Sequence, residues 1–334
     1  MTAAGPHRMT TDTGDAAAFI EATYEQLAQL GDSGLCCSPI ELYSPEELAA
    51  VPEEILRLSS GCGHPVEDAG IMPGMTVLDI GSGAGADAIL AARRTGPAGQ
   101  VIGVDPSESM RERATRTMAD LGLTWVEVRA GTAESLPVSD GSVDLVISNC
   151  VLSLSTDPTR AWTEIARTLR PGGQIVVSDI VGGAATETLQ AKIRCETGIE
   201  WPDYQAMLRR LGFAGIRPLR VRAARYRDGT TARSVTIHAW HGQPQPTVAV
   251  DVVHDGSGAA AQDLAQELAA TFGDRFTVRL LDAADPASRD IVALLLDGHD
   301  QAAPTSVPVI AVNGIPSAVP AEHLPGHLRE LLLA

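Results

Sequence analysis

The spacing of apolar residues changes along the chain, and the changes mark its elements. Residues 16–30, opening Ala16-Ala17-Ala18-Phe19-Ile20, have helical spacing, and Gly31-Asp32-Ser33-Gly34 ends that helix. Cys36-Cys37-Ser38-Pro39 is a loop. Ser44 is placed as an N-cap with Pro45 at the first helical position, and Gly61-Cys62-Gly63-His64-Pro65 is a second loop. From Met75 the pattern alternates. Thr76–Ile80, Gln100–Asp105, Thr124–Ala130, Val143–Ser148 and Gln174–Asp179 read as strands. Ala86–Arg94, Ser107–Leu121 and Thr159–Leu169 read as helices between them, and Arg170-Pro171-Gly172-Gly173 as a turn. Alternating strands and helices predict an α/β fold with a parallel sheet covered on both faces. Residues 186–212 are mostly helical by pattern, and Phe213–Arg225 and Ser234–Trp240 are closing strands.

After Gly242-Gln243-Pro244-Gln245-Pro246 the pattern restarts. Strands are expected at Thr247–Val253, Phe276–Leu281 and Val307–Val312, and helices at Gly258–Thr271 and Arg289–Leu296. The division expected is a disordered tail (1–15), a helical segment with thiol loops (16–70), a main domain (71–181), a small mixed closing subdomain (182–242), a linker (243–246) and a second small α/β domain (247–334).

A net charge of −17 argues against a nucleic-acid partner, which would need clustered Lys and Arg. No apolar run is long enough to cross a membrane, and Met1 to Asp15 has no signal-type apolar core, so a cytoplasmic protein with no membrane association is expected. Five cysteines, an odd number, do not look like a secreted disulfide scaffold. In a reducing compartment they are free thiols, ligands or transient redox partners.

Asp79-Ile80-Gly81-Ser82-Gly83-Ala84-Gly85 follows a strand and opens a helix. Gly81, Gly83 and Gly85 let the backbone turn tightly and approach a ligand. Dinucleotide enzymes share such a turn. Two details favour S-adenosylmethionine: Asp79 is placed to meet an amino-acid ammonium, and Asp105, followed by Pro106, ends the next strand where a carboxylate accepts ribose hydroxyls. Gly131-Thr132-Ala133-Glu134-Ser135-Leu136-Pro137 is a plausible adenine collar, with Ala133 and Glu134 at its centre. Asn149 ends the fourth strand at the pocket's edge. In this order the motifs resemble class I S-adenosylmethionine-dependent methyltransferases over about residues 71–181. That resemblance implies a doubly wound sheet.

Methylation of an alcohol or amine usually needs a base, and none stands at Asn149-Cys150. A trivalent metalloid carries its own lone pair and needs soft ligands to aim it. The thiol surroundings resemble the arsenite S-adenosylmethionine methyltransferases. The matching stretches are Tyr24-Glu25-Gln26-Leu27 through Cys36-Cys37, Gly61-Cys62-Gly63-His64-Pro65, Ser148-Asn149-Cys150-Val151-Leu152, and Cys195-Glu196-Thr197-Gly198-Ile199 with Trp201. The resemblance covers about residues 20–241. It implies that Cys150 and Cys195 bind As(III) and that Cys62 completes or relays the site. It also implies that Cys36 or Cys37, with Cys37 preferred, is the redox partner of Cys62. His64 departs from the family, which commonly has Asn there. The implied partners are an arsenic–thiol conjugate as substrate and a cellular thiol reductant, glutathione or thioredoxin. Arsenic is here a substrate and not a structural metal.

Residues 247–334 resemble a thioredoxin-like unit without a Cys pair in the loop 255–261. Two other readings compete: methylation of a small organic thiol or natural product, and a non-catalytic arsenic-binding protein. His238 and His241 are expected to be core or surface residues.

Overall fold

The computed structural model describes residues 13–30, 39–183, 192–193, 197–223, 232–242, 248–254, 259–272, 276–296, 309–312 and 315–316. Cys36, Cys37 and Cys195 lie outside them.

Five strands form the parallel part of a seven-stranded sheet: β1 (Thr76–Ile80), β2 (Gln100–Asp105), β3 (Val126–Ala130), β4 (Val143–Asn149) and β5 (Leu169–Val181). β6 (Phe213–Ala223) and β7 (Arg233–His241) add to it antiparallel, giving the order β3-β2-β1-β4-β5-β7-β6. These are the two strands read as closing strands, and they join the main sheet. β5 also starts five residues early. Leu169 already pairs with Val143, so Arg170–Gly173 is an irregular strand entry and not a turn.

Residues alternate across the sheet with period two. Val77, Leu145, Ile147 and Val176 pack on one face against Ile89 of α5 (Ala86–Thr95). Leu78, Val146, Ile175 and Val177 pack on the other with Trp162 and Ile165 of α7 (Pro158–Thr168). Trp162 anchors that layer with edge contacts to Tyr204 at 5.5 Å and Phe213 at 5.8 Å, Tyr204 being on α8 (Trp201–Arg210). Burying both faces is what a parallel sheet requires.

The chain reverses its direction of travel between β1 and β4, and an open α/β sheet has its crevice at the carboxyl ends of such strands. The leading segment covers this edge: α1 (Thr13–Leu30), a 3-10 turn (Pro39–Leu42), α2 (Pro45–Ala50), α3 (Glu53–Leu58) and α4 (Pro65–Asp68). Thus α1 begins before the expected end of the tail. Ser44 caps α2 as read from sequence, and a reciprocal bond from Glu47 completes a capping box. Arg220 of β6 holds α4 through Asp68, at 2.6 and 3.1 Å.

A second sheet has the order β11-β10-β8-β9, from β8 (Val248–His254), β9 (Phe276–Asp282), β10 (Val309–Val312) and β11 (Ile315–Pro316). β8 and β9 are parallel, and β10 runs antiparallel to both β8 and β11. α9 (Ala259–Phe272) and α10 (Pro286–Leu296) accompany it, with Ile291, Leu294 and Leu295 of α10 continuing the main core. Among the described residues no helix is long and apolar enough to cross a membrane.

Candidate active site

The crevice at β1 and β4 is a pocket walled by the Gly-rich turn, the ends of β2 and β4, the loop after β3, and α1. Gly81, Gly83 and Gly85 all have positive φ, at 69°, 51° and 96°. Gly81 and Gly83 line the pocket, but Gly85, expected there too, is the N-cap of α5. A Cβ at Gly85 would press on Met118 of α6 (Glu108–Asp120). Its smallness serves helix packing and not ligand approach.

Three carboxylates are buried around this turn. Asp79 is 2% exposed, and its Oδ2 has no hydrogen-bond partner. Burial, and then the charges of Asp87 and Asp105, push its pKa well above the usual carboxylate range. Asp87 and Asp105 are raised by burial as well. Asp105 accepts the Gly83 N–H at Oδ2 and the Ser107 N–H at Oδ1, each at 2.9 Å, leaving one lone pair on each oxygen turned to other donors. Pro106 joins it in the wall. Asp79, buried with no cation beside it, favours a cationic ligand, and an ammonium–sulfonium molecule with a ribose diol fits this donor demand.

Ala133 and Glu134 follow β3 and line the pocket. Glu134 is held there by the Ser155 hydroxyl at 2.5 Å and the Thr156 N–H at 3.2 Å. Ala17, Ile20, Glu21 and Tyr24 present one face of α1 to the pocket. That roof was not anticipated, although the 17, 20, 21, 24 spacing was there to be found. Asp87 was missed because one acidic residue in a helix's first turn is ordinary.

Asn149, expected as a cofactor contact, is also held by the protein's own groups. It lies at the pocket wall, but its amide donates to Gly63 O at 2.8 Å and Asp87 Oδ2 at 2.9 Å, while its oxygen accepts the Gly63 N–H at 3.0 Å. Both of its N–H donors are committed to protein.

Cys150 follows immediately, in the left-handed region at φ 59°, the one non-glycine residue with positive φ among those described. Such backbone is uncommon outside Gly, Asn and Asp and is held by its surroundings. The Cys150 N–H donates to Ser178 O at 2.8 Å. Cys62 and Cys150 form a disulfide across 88 residues, with their Cα atoms 5.7 Å apart. Of the expected states of the cysteines (free thiols, ligands or transient redox partners), these two show a bonded pair, and in this state neither is a thiolate. The structure joins Cys62 to Cys150; its expected pairing with Cys37 and the position of Cys195 fall outside the described residues. Ile180 and Ala232 enclose the bridge in apolar contact.

His64, beside this loop, is buried. Its Nε2 lies 3.0 Å from Glu47, and its ring meets Tyr43 edge-on at 4.6 Å. His238 sits on β7 against Gln174 at 3.0 Å, and burial lowers its pKa to about 3. Among the described residues no three His, Cys, Asp or Glu side chains gather to hold a metal ion.

Residues 71–210 match a family described as a methyltransferase domain. An arsenite methyltransferase of Halobacterium salinarum is 41% identical over 157 residues, 45% of this chain and 40% of that protein. One of Aquipseudomonas alcaligenes is 33% identical over 193 residues, 53% of this chain and 55% of that protein. The chain therefore spans about half the length of these curated relatives. Among solved structures, an arsenic (III) S-adenosylmethionine methyltransferase from Chlamydomonas reinhardtii superimposes with a TM-score of 0.54 at 28% identity, over 64% of this chain and 81% of that one.

Proposed function

We propose that this chain, which carries a methyltransferase domain and is similar to arsenite methyltransferases over about half their length, transfers a methyl group from S-adenosylmethionine to trivalent arsenic held by cysteine thiolates. The observation that carries the reading is the adjacency of two features: a crevice with buried carboxylates and, in its wall, Cys150, whose sulfur is bonded to that of Cys62. The first suits a cationic cofactor and the second a soft acceptor.

When bound, S-adenosylmethionine would supply a sulfonium methyl whose S–CH3 bond is exchanged for an As–CH3 bond formed with the arsenic lone pair, S-adenosylhomocysteine being the leaving group. Asp79 would face the ammonium and Asp105 the ribose hydroxyls, while Ala133 and Glu134 flank the adenine. Cys62 and Cys150, once reduced, would ligate arsenic, with Cys195 completing the set and Cys37 acting as redox partner. Reduction consumes two molecules of glutathione or one thioredoxin dithiol, and leaves two protein thiols and one disulfide of the reductant. Arsenic would arrive as a thiol conjugate and exchange onto these ligands. Catalysis is then mainly positioning, since no proton need be removed from the acceptor.

The test is to incubate the protein with arsenite, a thiol and labelled S-adenosylmethionine, and to speciate the arsenic. Methylated arsenic that disappears in Cys150→Ser, while cofactor binding persists, supports the reading. No methylated arsenic from the reduced wild type, or undiminished product from Cys150→Ser, rejects it.

A further inference from the structure

The Gly61-Cys62-Gly63 turn is built around one side chain. The Asn149 carboxamide enters it, pairs with both the N–H and the C=O of Gly63, and lies so close to Gly61 that a Cβ there would fall on it. Asp87 fixes the carboxamide's rotation, because its Oδ2 accepts the remaining amide proton while its Oδ1 accepts the Tyr43 hydroxyl at 3.0 Å. A second strut meets the turn from β5. A Cβ at Gly63 would fall on the Ser178 side chain, which bonds Thr236 at 2.8 Å, while the Ser178 carbonyl holds the Cys150 N–H. The Ser234 hydroxyl closes the turn by donating to the Cys62 carbonyl at 2.7 Å. Each glycine beside Cys62 thus makes room for a particular neighbour.

We propose that Asn149 is the positioning residue for Cys62. Clamped on the Gly63 peptide and oriented by Asp87, it sets where the Cys62 sulfur stands relative to Cys150 and hence how readily the two act together. Asn149 immediately precedes Cys150, so one short segment fixes both sulfurs: Cys150 through the backbone and Cys62 through a side chain. This deepens the reading that the pair serves the acceptor, and it rests on that reading only for its purpose. The consequence for the sulfurs holds with no arsenic present. Two thiols held together behave as if at high effective concentration, which favours their disulfide over exchange with a free thiol.

The experiment equilibrates the full chain with buffers of reduced and oxidised glutathione. In the reaction read, the Cys62–Cys150 bond breaks, two glutathione thiols give up two electrons and two protons, and two protein thiols and one glutathione disulfide result. Acid quench, alkylation and mass spectrometry of the cross-linked peptides give the ratio. In Asn149→Ala the equilibrium should move at least tenfold toward the dithiol, or about 30 mV for this two-electron couple. An unmoved equilibrium overturns the proposal, as does a tenfold loss of cofactor affinity in the same variant, which would make Asn149 a cofactor contact. If Asn149→Ala does not fold, Gly61→Ala, which displaces the carboxamide from the other side, is read by the same two criteria. Neither readout involves methylation, so failure of the arsenic reading and failure of this one are separable.

Discussion

Glu25, on the helix that roofs the pocket, accepts a hydrogen bond from the Ser107 hydroxyl at 2.6 Å, and Ser107 is itself the N-cap of α6. The same carboxylate accepts from the Ser109 N–H at 3.2 Å and from the Ser109 hydroxyl. These bonds hold its pKa down at about 2. A carboxylate at a helix N-terminus is favoured by the helix dipole as well. The contact is a latch between α1 and the start of α6, two residues after Asp105 ends β2.

Releasing that latch should weaken cofactor retention. Glu25→Ala should speed S-adenosylmethionine dissociation several-fold in stopped-flow measurements and leave the association rate little changed. The sign of the pH effect follows from the lowered pKa. The latch is fully present above the ordinary carboxylate pKa and is lost only as pH falls toward 2, so between pH 5 and 8 Glu25 adds no titration of its own to cofactor affinity. A dissociation rate equal to wild type would show that α1 does not gate the pocket.

Asp79 should behave oppositely in stability and in binding. Its carboxylate is buried with one oxygen unpartnered, which costs the ligand-free fold about 1–3 kcal/mol. Asp79→Asn should therefore raise the melting temperature of the ligand-free protein and lower S-adenosylmethionine affinity tenfold or more. A variant that loses stability and keeps its affinity would contradict both halves.

The raised carboxylates also predict proton release on binding. For Asp79, Asp87 and Asp105 the folded pKa lies above the unfolded one. The ligand-free fold thus loses stability as pH climbs from about 4 through the raised values. A cationic ligand stabilises the ionised forms and expels protons. Titration calorimetry in buffers of different ionisation enthalpy should show net release below neutrality; net uptake would exclude a cation beside these groups.

Reducing the Cys62–Cys150 bridge should cost stability while enabling chemistry. Opening a loop of 88 residues removes about 2–4 kcal/mol. Added reductant should lower the melting temperature of wild type and have little effect on Cys62→Ser. Arsenic-dependent turnover should appear only in reductant. Turnover without it would mean that the bridge does not involve the working sulfurs.

Much of this was legible in the sequence because the signals were local. The Ser44 cap and the β1 and β2 boundaries depend on neighbours within four residues, and they were read to the residue. The strand entry at Leu169 was misread because Pro171-Gly172-Gly173 carries turn chemistry that pairing with β4 overrides. The Asn149 clamp was hidden for another reason. Its partners Gly63 and Asp87 lie 86 and 62 residues away, and no periodicity reports a contact of that range. Asn149 was expected at the pocket on its strand position, and strand position says nothing about where a carboxamide points.

The left-handed backbone at Cys150 sets folding and chemistry against each other at one position. Glycine would relax the main chain there by about 1–2 kcal/mol, so thermodynamics pulls the residue away from cysteine. Only a use for sulfur pulls it back. In any lineage released from that use, this codon should be among the first to drift, and glycine or asparagine found here would mark a protein that keeps the architecture after abandoning the reaction.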